Sequence, residues 1–223
     1  MIEEGDAPRR TDAMDIDQLL TTTRSARKTL DLEAPIDLEV VKECLRIGIQ
    51  APNGSNNQSW RWLLVQDADK RRRIAELYRQ ARIALTGRED VSEWIDDSDF
   101  GRVLSSTEWL VARMDQVPLF VIPCYEPYMS PKRGSQSFHQ ATIYGSIFPA
   151  VWNFQLALHT RGYGTCITTL HLNEEEAVRE LLGIPDSYVQ GCLLPVARLR
   201  AGTVFKPAPR KPLDEVIAVD SWT

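Results

Sequence analysis

The sequence predicts a single α+β domain, and three features carry that prediction. Helical and strand-like runs follow one another in an order that fits helices packed on one sheet, with no repeat, low-complexity segment or linker between them. One run, "VPLFVIPCY" at 117–125, is apolar on both faces, as a buried central strand is. A longer one, "SFHQATIYGSIFPAVWNFQLALHTRGYG", has helical length and is apolar nearly all round, so it belongs in the middle of a protein or in a subunit interface.

Taken in order, residues 1–14 read as a loose leader and 15–223 as the domain. "DIDQLLTTTRSARKTLD" is a short helix from Asp15 or Asp17 that runs into a polar, basic turn. Asp37 caps the next helix, which carries Val40, Val41, Cys44, Leu45 and Ile49 on one face. The loop "APNGSNNQSW" at 51–60 precedes a strand, "RWLLVQ", and a helix from Asp67 to about Leu85. Residues 86–116 mix acids with Trp94, Phe100 and Trp109 without a clean period, and read as helical turns in a mobile lid or as a surface hairpin.

Beyond the buried strand and the long helix, where Pro149 predicts a kink, "TCITTL" reads as a short strand. Asn173 with Glu176 predicts a capping-box start for a helix that stops at Gly183. "QGCLLPVARL" is another strand, and 206–223 form an irregular C-terminal arm.

The 223 residues suffice for a sizeable core. A net charge of −5 argues against a general nucleic-acid binder, and no apolar run approaches membrane-spanning length. Cys44, Cys124, Cys166 and Cys192 form no CxxC, and His139, His159 and His171 have no metal-ligand spacing, so buried free thiols and no metal are expected. The N-terminus is too acidic and polar for a signal peptide, which makes the chain cytoplasmic and gives the Asn-x-Ser triplets at Asn53 and Asn57 little weight.

Two basic clusters stand against the acidic background: Arg24, Arg27 and Lys28 around Ser25, and Arg210 with Lys211. Either alone reads as solvated surface charge. Together they would form an anion site, because two guanidinium forks and a hydroxyl suit a phosphate monoester. No GxGxxG opens a helix and no GxxxxGK(S/T) occurs, so neither a dinucleotide fold nor a P-loop is available. A loop rich in carboxamides suits a heterocycle edge with alternating donors and acceptors, although on the residues alone Asx-turns closing a tight connection are the favoured explanation.

Three segments in register resemble the FMN-dependent nitroreductase family: "RSAR" at 24–27, "APNGSNNQSW", and the long helix through "RGYGTCITTL" with "ELLGIPDSY" and "RKPLDEVI" after it. The resemblance spans about residues 17–222 and implies a mainly antiparallel sheet flanked by helices in an intertwined homodimer. It also implies FMN held at the subunit interface. Arg24, Ser25 and Arg27 would hold the phosphate and ribityl chain, joined by Arg210 and Lys211, with Lys28 beside them. Asn53 and Gly54 would reach the ring from the partner subunit, with Asn56 and Gln58 shaping that loop. Thr168 and Thr169 match the segment that faces flavin N5, and Arg27 matches the cation that stabilises reduced flavin.

The implied activity is ping-pong hydride transfer from NAD(P)H to a nitroaromatic or quinone, carried by FMN with no catalytic side chain. Trp94, Phe100, Trp109 and Tyr125 are candidate pocket walls. Asn53 departs from the family's serine and Ser59 from its proline. The "TT" pair resembles the iodotyrosine-deiodinase branch, whose Glu/Tyr/Lys substrate clamp has no match in residues 70–116, which argues against a zwitterionic iodotyrosine substrate. A flavin-fragmenting or reductive-dehalogenating relative, and a non-enzymatic FMN-binding dimer, are the alternatives.

Overall fold

The computed structural model describes residues 15–127 and 134–222, so the expected leader at 1–14 lies outside the described residues. The helices are α1 (Ile16–Thr22), α2 (Leu38–Gly48), α3 (Ala68–Thr86), α4 (Asp99–Arg113), α5 (Gln136–His159) and α6 (Glu175–Leu182). The strands are β1 (Leu30–Asp31), β2 (Trp60–Val65), β3 (Leu119–Tyr125), β4 (Tyr163–Gly164), β5 (Val189–Gln190) and β6 (Leu194–Leu199). They form one sheet in the order β1-β6-β3-β2, with β4 on β6 and β5 on β3. Every pairing is antiparallel, as expected.

β3 shows why its sequence is apolar throughout. Alternate side chains of a strand point to opposite faces. Phe120, Ile122 and Cys124 join a core with Ile74 and Tyr78 of α3, Leu110 of α4 and Val178 of α6. Leu119, Val121 and Tyr125 join a second core with Val41 and Cys44 of α2 and Ile147 and Phe154 of α5. Both faces are therefore dry. All four cysteines are free and buried within these layers.

Asp37 caps α2 as predicted, its carboxylate accepting from the Glu39 and Val40 N–H groups. Ile49 differs from the prediction: it follows the helix as its C-cap and is 38% exposed. Within the stretch expected to hold helical turns or a surface hairpin, α4 is one regular helix, capped by Ser98 and buried through Gly101, Leu110 and Val111. "TCITTL" is not a strand. Only Thr168 pairs there, in an isolated bridge with Leu193, and the ladder residues are Tyr163 and Gly164. Asn173 makes no capping box either; its amide donates to the Leu170 carbonyl in a 3₁₀ turn before α6. Gly183 does end α6, in the left-handed conformation with φ 66°.

Candidate functional site

α1 ends at Thr23 in extended backbone, and the chain continues as an irregular turn through residues 24–27. Ala26 anchors that turn: it is buried, and its N–H donates to the Thr165 carbonyl at 2.9 Å. Gly164 lies against it, and a Cβ there would overlap Ala26 and Leu30. Arg24 and Ser25 are thereby held on the outside. Arg24 donates to the Lys206 carbonyl at 3.0 Å, which draws the C-terminal arm over the turn.

A cavity of about 720 Å³ opens at this junction, with Arg24, Ser25 and Arg27 from the turn and Arg210 from the arm lining it. Two basic clusters from opposite ends of the sequence thus face one space, in the size range of cofactor sites. The donor set fits a phosphate monoester: three guanidinium groups offer paired N–H donors in fixed planes, and Ser25 adds a hydroxyl. A small recess behind Arg24 adds two buried polar atoms, Gln155 Oε1 and Thr165 Oγ1, that have no protein partner among the described residues.

The other expected residues lie elsewhere. Lys28 is exposed and donates to Ser105 Oγ of α4 at 2.7 Å, and Lys211 is exposed outside the lining. Gly54 N–H donates to Ser146 Oγ of α5 at 3.0 Å, while Asn53 Oδ1 accepts from Gln58 N–H at 3.0 Å and Asn56 Oδ1 from the Gln58 amide at 3.2 Å. The amide loop therefore shapes itself and stays off the cavity in the single chain. Ser55, Asn56 and Gln58 all take positive φ, 53°, 51° and 50°, a region that side chains other than glycine rarely adopt.

Thr168 is occupied on all sides. Its backbone exchanges hydrogen bonds with Leu193 at 3.0 and 2.8 Å, and its hydroxyl meets the Tyr78 hydroxyl. Burial pushes the Tyr78 phenol up to about 12, so it stays protonated at neutral pH. Thr169 is exposed beside it. Burial also pushes the Cys166 thiol up to about 11, against the opposing pull of the Arg27 guanidinium.

α4 supplies a wall that sequence reasoning missed. Asp99, Arg102, Val103 and Ser106 face the cavity, with Trp152 of α5. None of the four aromatics named from sequence lines it. Tyr125 is fully buried in the core, and Trp109 lies under Arg113 and Arg200. The run of α4 side chains every three or four residues was the available signal, and the acidic setting hid it.

A family model described as "Nitroreductase family" matches residues 20–198. Rat iodotyrosine deiodinase 1 is 25% identical over 200 residues, covering 90% of this chain and 67% of the relative. Among solved structures, oxidized iodotyrosine deiodinase bound to FMN and 3-iodo-L-tyrosine superposes with a TM-score of 0.65 at 21% identity, over 90% of this chain and 96% of that one. A BluB-like flavoprotein from Clostridium difficile 630 gives a TM-score of 0.68 at 15% identity, over 94% of this chain and all (100%) of that one. With the family model covering most of the domain and the antiparallel fold shared, the chain belongs to the nitroreductase family.

Proposed function

We propose that the chain binds FMN as a homodimer and passes two electrons from NAD(P)H to a nitroaromatic or quinone acceptor in a single pocket. The observation that carries this reading is the convergence of Arg24, Ser25, Arg27 and Arg210 on one cavity. Such a donor set suits one terminal phosphate, and no GxGxxG opens a helix in the sequence, which favours FMN over FAD. The flavin, when bound, supplies the hydride and electron chemistry.

The chain's own residues bind and orient. Arg24 and Arg210 hold phosphate oxygens by charge-assisted hydrogen bonds, and the Ser25 hydroxyl donates a further one. Arg27, half-buried beside Cys166, is the cation that balances negative charge on the ring. Thr169 is the member of the threonine pair left to face the ring, with Thr168 locked beneath it by Tyr78. Asn53 and Gly54 act on the flavin of the partner subunit, and the strained backbone of their loop is the kind of conformation that persists at binding sites.

Exposed apolar side chains support the dimer. Phe138 and Tyr144 of α5 and Val216, Val219 and Trp222 of the arm all face solvent in the single chain. No helix among the described residues is long and apolar enough to cross a membrane.

A second reading, reductive dehalogenation of an aromatic substrate, is favoured by the deiodinase relatives. Purified protein distinguishes them. The leading reading requires bound FMN, a dimer in sedimentation, and NAD(P)H oxidation that depends on an added nitroaromatic or quinone, with parallel double-reciprocal lines. Halide release without nitro reduction establishes the second reading. Consumption of FMN under oxygen points to flavin fragmentation, and FMN binding with no turnover to a non-enzymatic dimer.

A further inference from the structure

The cavity lining holds one more cation than the flavin reading uses, Arg102, together with one carboxylate, Asp99. A phosphate monoester carries about −1.5 to −2 at neutral pH. Arg24 and Arg210 meet it, and Arg27 beside them is left to the flavin ring. Arg102 enters from a separate element, α4, and shares its wall with Val103 and Ser106, while Trp152 stands beside them from α5. Val103 is 57% exposed and Trp152 39% exposed, so an aliphatic and an aromatic surface stand open next to a guanidinium.

Arg102 is not consumed by the fold. It pairs with Asp99 and with the Asp97 carbonyl on its own helix turn. Both Arg102 and Asp99 are exposed, and an exposed ion pair three residues apart contributes little. The helix carrying it, by contrast, is fixed. Arg82 is buried, grips the Glu108 carboxylate, and donates to the Arg88 and Glu89 carbonyls at 2.7 and 2.8 Å. Lys28 ties the phosphate turn to Ser105, and a Cβ at Gly101 would overlap the Asp96 backbone. A rigid helix therefore presents a cation whose partners, the Asp97 carbonyl and the Asp99 carboxylate, are exposed and open to exchange for a ligand anion.

We infer that Arg102 selects for an acceptor with a carboxylate or similar anion on an apolar ring, the anion meeting Arg102 and the ring lying against Val103 and Trp152. This rests on the FMN-site reading above and adds the charge of the second substrate to it. A lone guanidinium facing a carboxylate gives a charge-assisted hydrogen bond, and its loss weakens binding about ten-fold or more.

The test measures binding of 4-nitrobenzoate and neutral 4-nitrobenzyl alcohol to oxidized, FMN-loaded protein, by perturbation of the flavin spectrum with no reductant present. FMN affinity is measured first on each variant. Wild-type protein should prefer the anion, Arg102→Gln should lose about ten-fold in the ratio of the two affinities, Arg102→Lys should retain part of it, and Arg102→Glu should reverse it. FMN affinity should hold within about two-fold throughout. An unchanged ratio in folded, FMN-loaded Arg102→Gln overturns the inference and leaves the cofactor reading intact. A fall in FMN affinity in place of a change in the ratio assigns Arg102 to the phosphate and also overturns it. Wild-type protein that binds no FMN overturns both.

Discussion

The turn at residues 24–27 and the loop at residues 53–58 are both short, polar and irregular, yet they spend their polar groups in opposite ways. In the turn the backbone is anchored through Ala26, and the guanidinium groups of Arg24 and Arg27 face open space across from Arg210. In the loop the side-chain amides turn inward: Asn53 and Asn56 both accept from Gln58, and Gly54 is held by Ser146. Strong donors left over mark where a ligand is held within one chain. Donors consumed by the loop itself mark a surface built to keep its shape, here with three side chains at positive φ. The same residue types therefore carry different meanings, and only the partner of each polar group tells them apart.

The largest expected effect concerns what holds the cavity wall. Glu108→Gln leaves Arg82 buried with its carboxylate partner gone, and removing one partner of such a pair costs about 3–5 kcal/mol. Chemical denaturation should register that loss. A change under 1 kcal/mol would mean that α4 is held by packing alone, and would weaken the view of the turn's surroundings as rigid.

Next comes the turn itself. Arg24→Ala and Arg210→Ala should each weaken FMN binding by about ten-fold or more, and the double variant by about a hundred-fold, with little change in folding. If only one of the two matters, the clusters do not act on one phosphate.

His171 tests the segment that follows the threonine pair. It is fully buried, neither ring nitrogen has a partner among the described residues, and burial pulls its pKa down to about 4. The unfolded chain binds the proton near the ordinary value of about 6.5, while the folded chain refuses it until about 4. Stability is therefore fully present above about pH 6.5 and is lost as pH falls towards 4, by about 2 kcal/mol at pH 5. His171→Leu should flatten the pH 5–7 part of that profile. Equal slopes in both proteins would show that the buried imidazole does not set it.

The smallest effect belongs to the loop. Asn53→Ala removes one partly exposed hydrogen bond to Gln58 and should cost about 1 kcal/mol in stability. If it abolished FMN binding while leaving the dimer intact, the loop's amides would be ligand groups before they are structural ones.

The sequence showed β3 and α5 through composition: β3 is dry on both faces, and α5 is buried along its second half at Ile147, Ala150, Val151, Phe154 and Leu158, while Phe138 and Tyr144 nearer its start stay exposed. β1 and β4 span two residues each and are too short to carry any pattern. "QGCLLPVARL" splits because Gly191 N–H turns to the Pro123 carbonyl between β5 and β6. α4 looked aperiodic for a physical reason: it faces core, water and a cavity, and Phe100 and Val103 stay exposed on the side away from the core. At the site, the arginines announced an anion by type. That the two clusters meet was implied by the family resemblance and not by the residues themselves, since closure depends on Arg24 reaching the Lys206 carbonyl. Arg102 was one charge in an acidic stretch until the helix placed it on the cavity.

The central claim is that this family member grips its flavin by the phosphate through both ends of its chain. Equilibrium titration of flavin-free protein with FMN and with riboflavin, which lacks only the phosphate, tests it most directly. Loss of several charge-assisted contacts predicts that riboflavin binds at least about a hundred-fold more weakly, and that Arg24→Ala with Arg210→Ala narrows the gap. Riboflavin binding within about three-fold of FMN would contradict the claim, whatever the protein's activity.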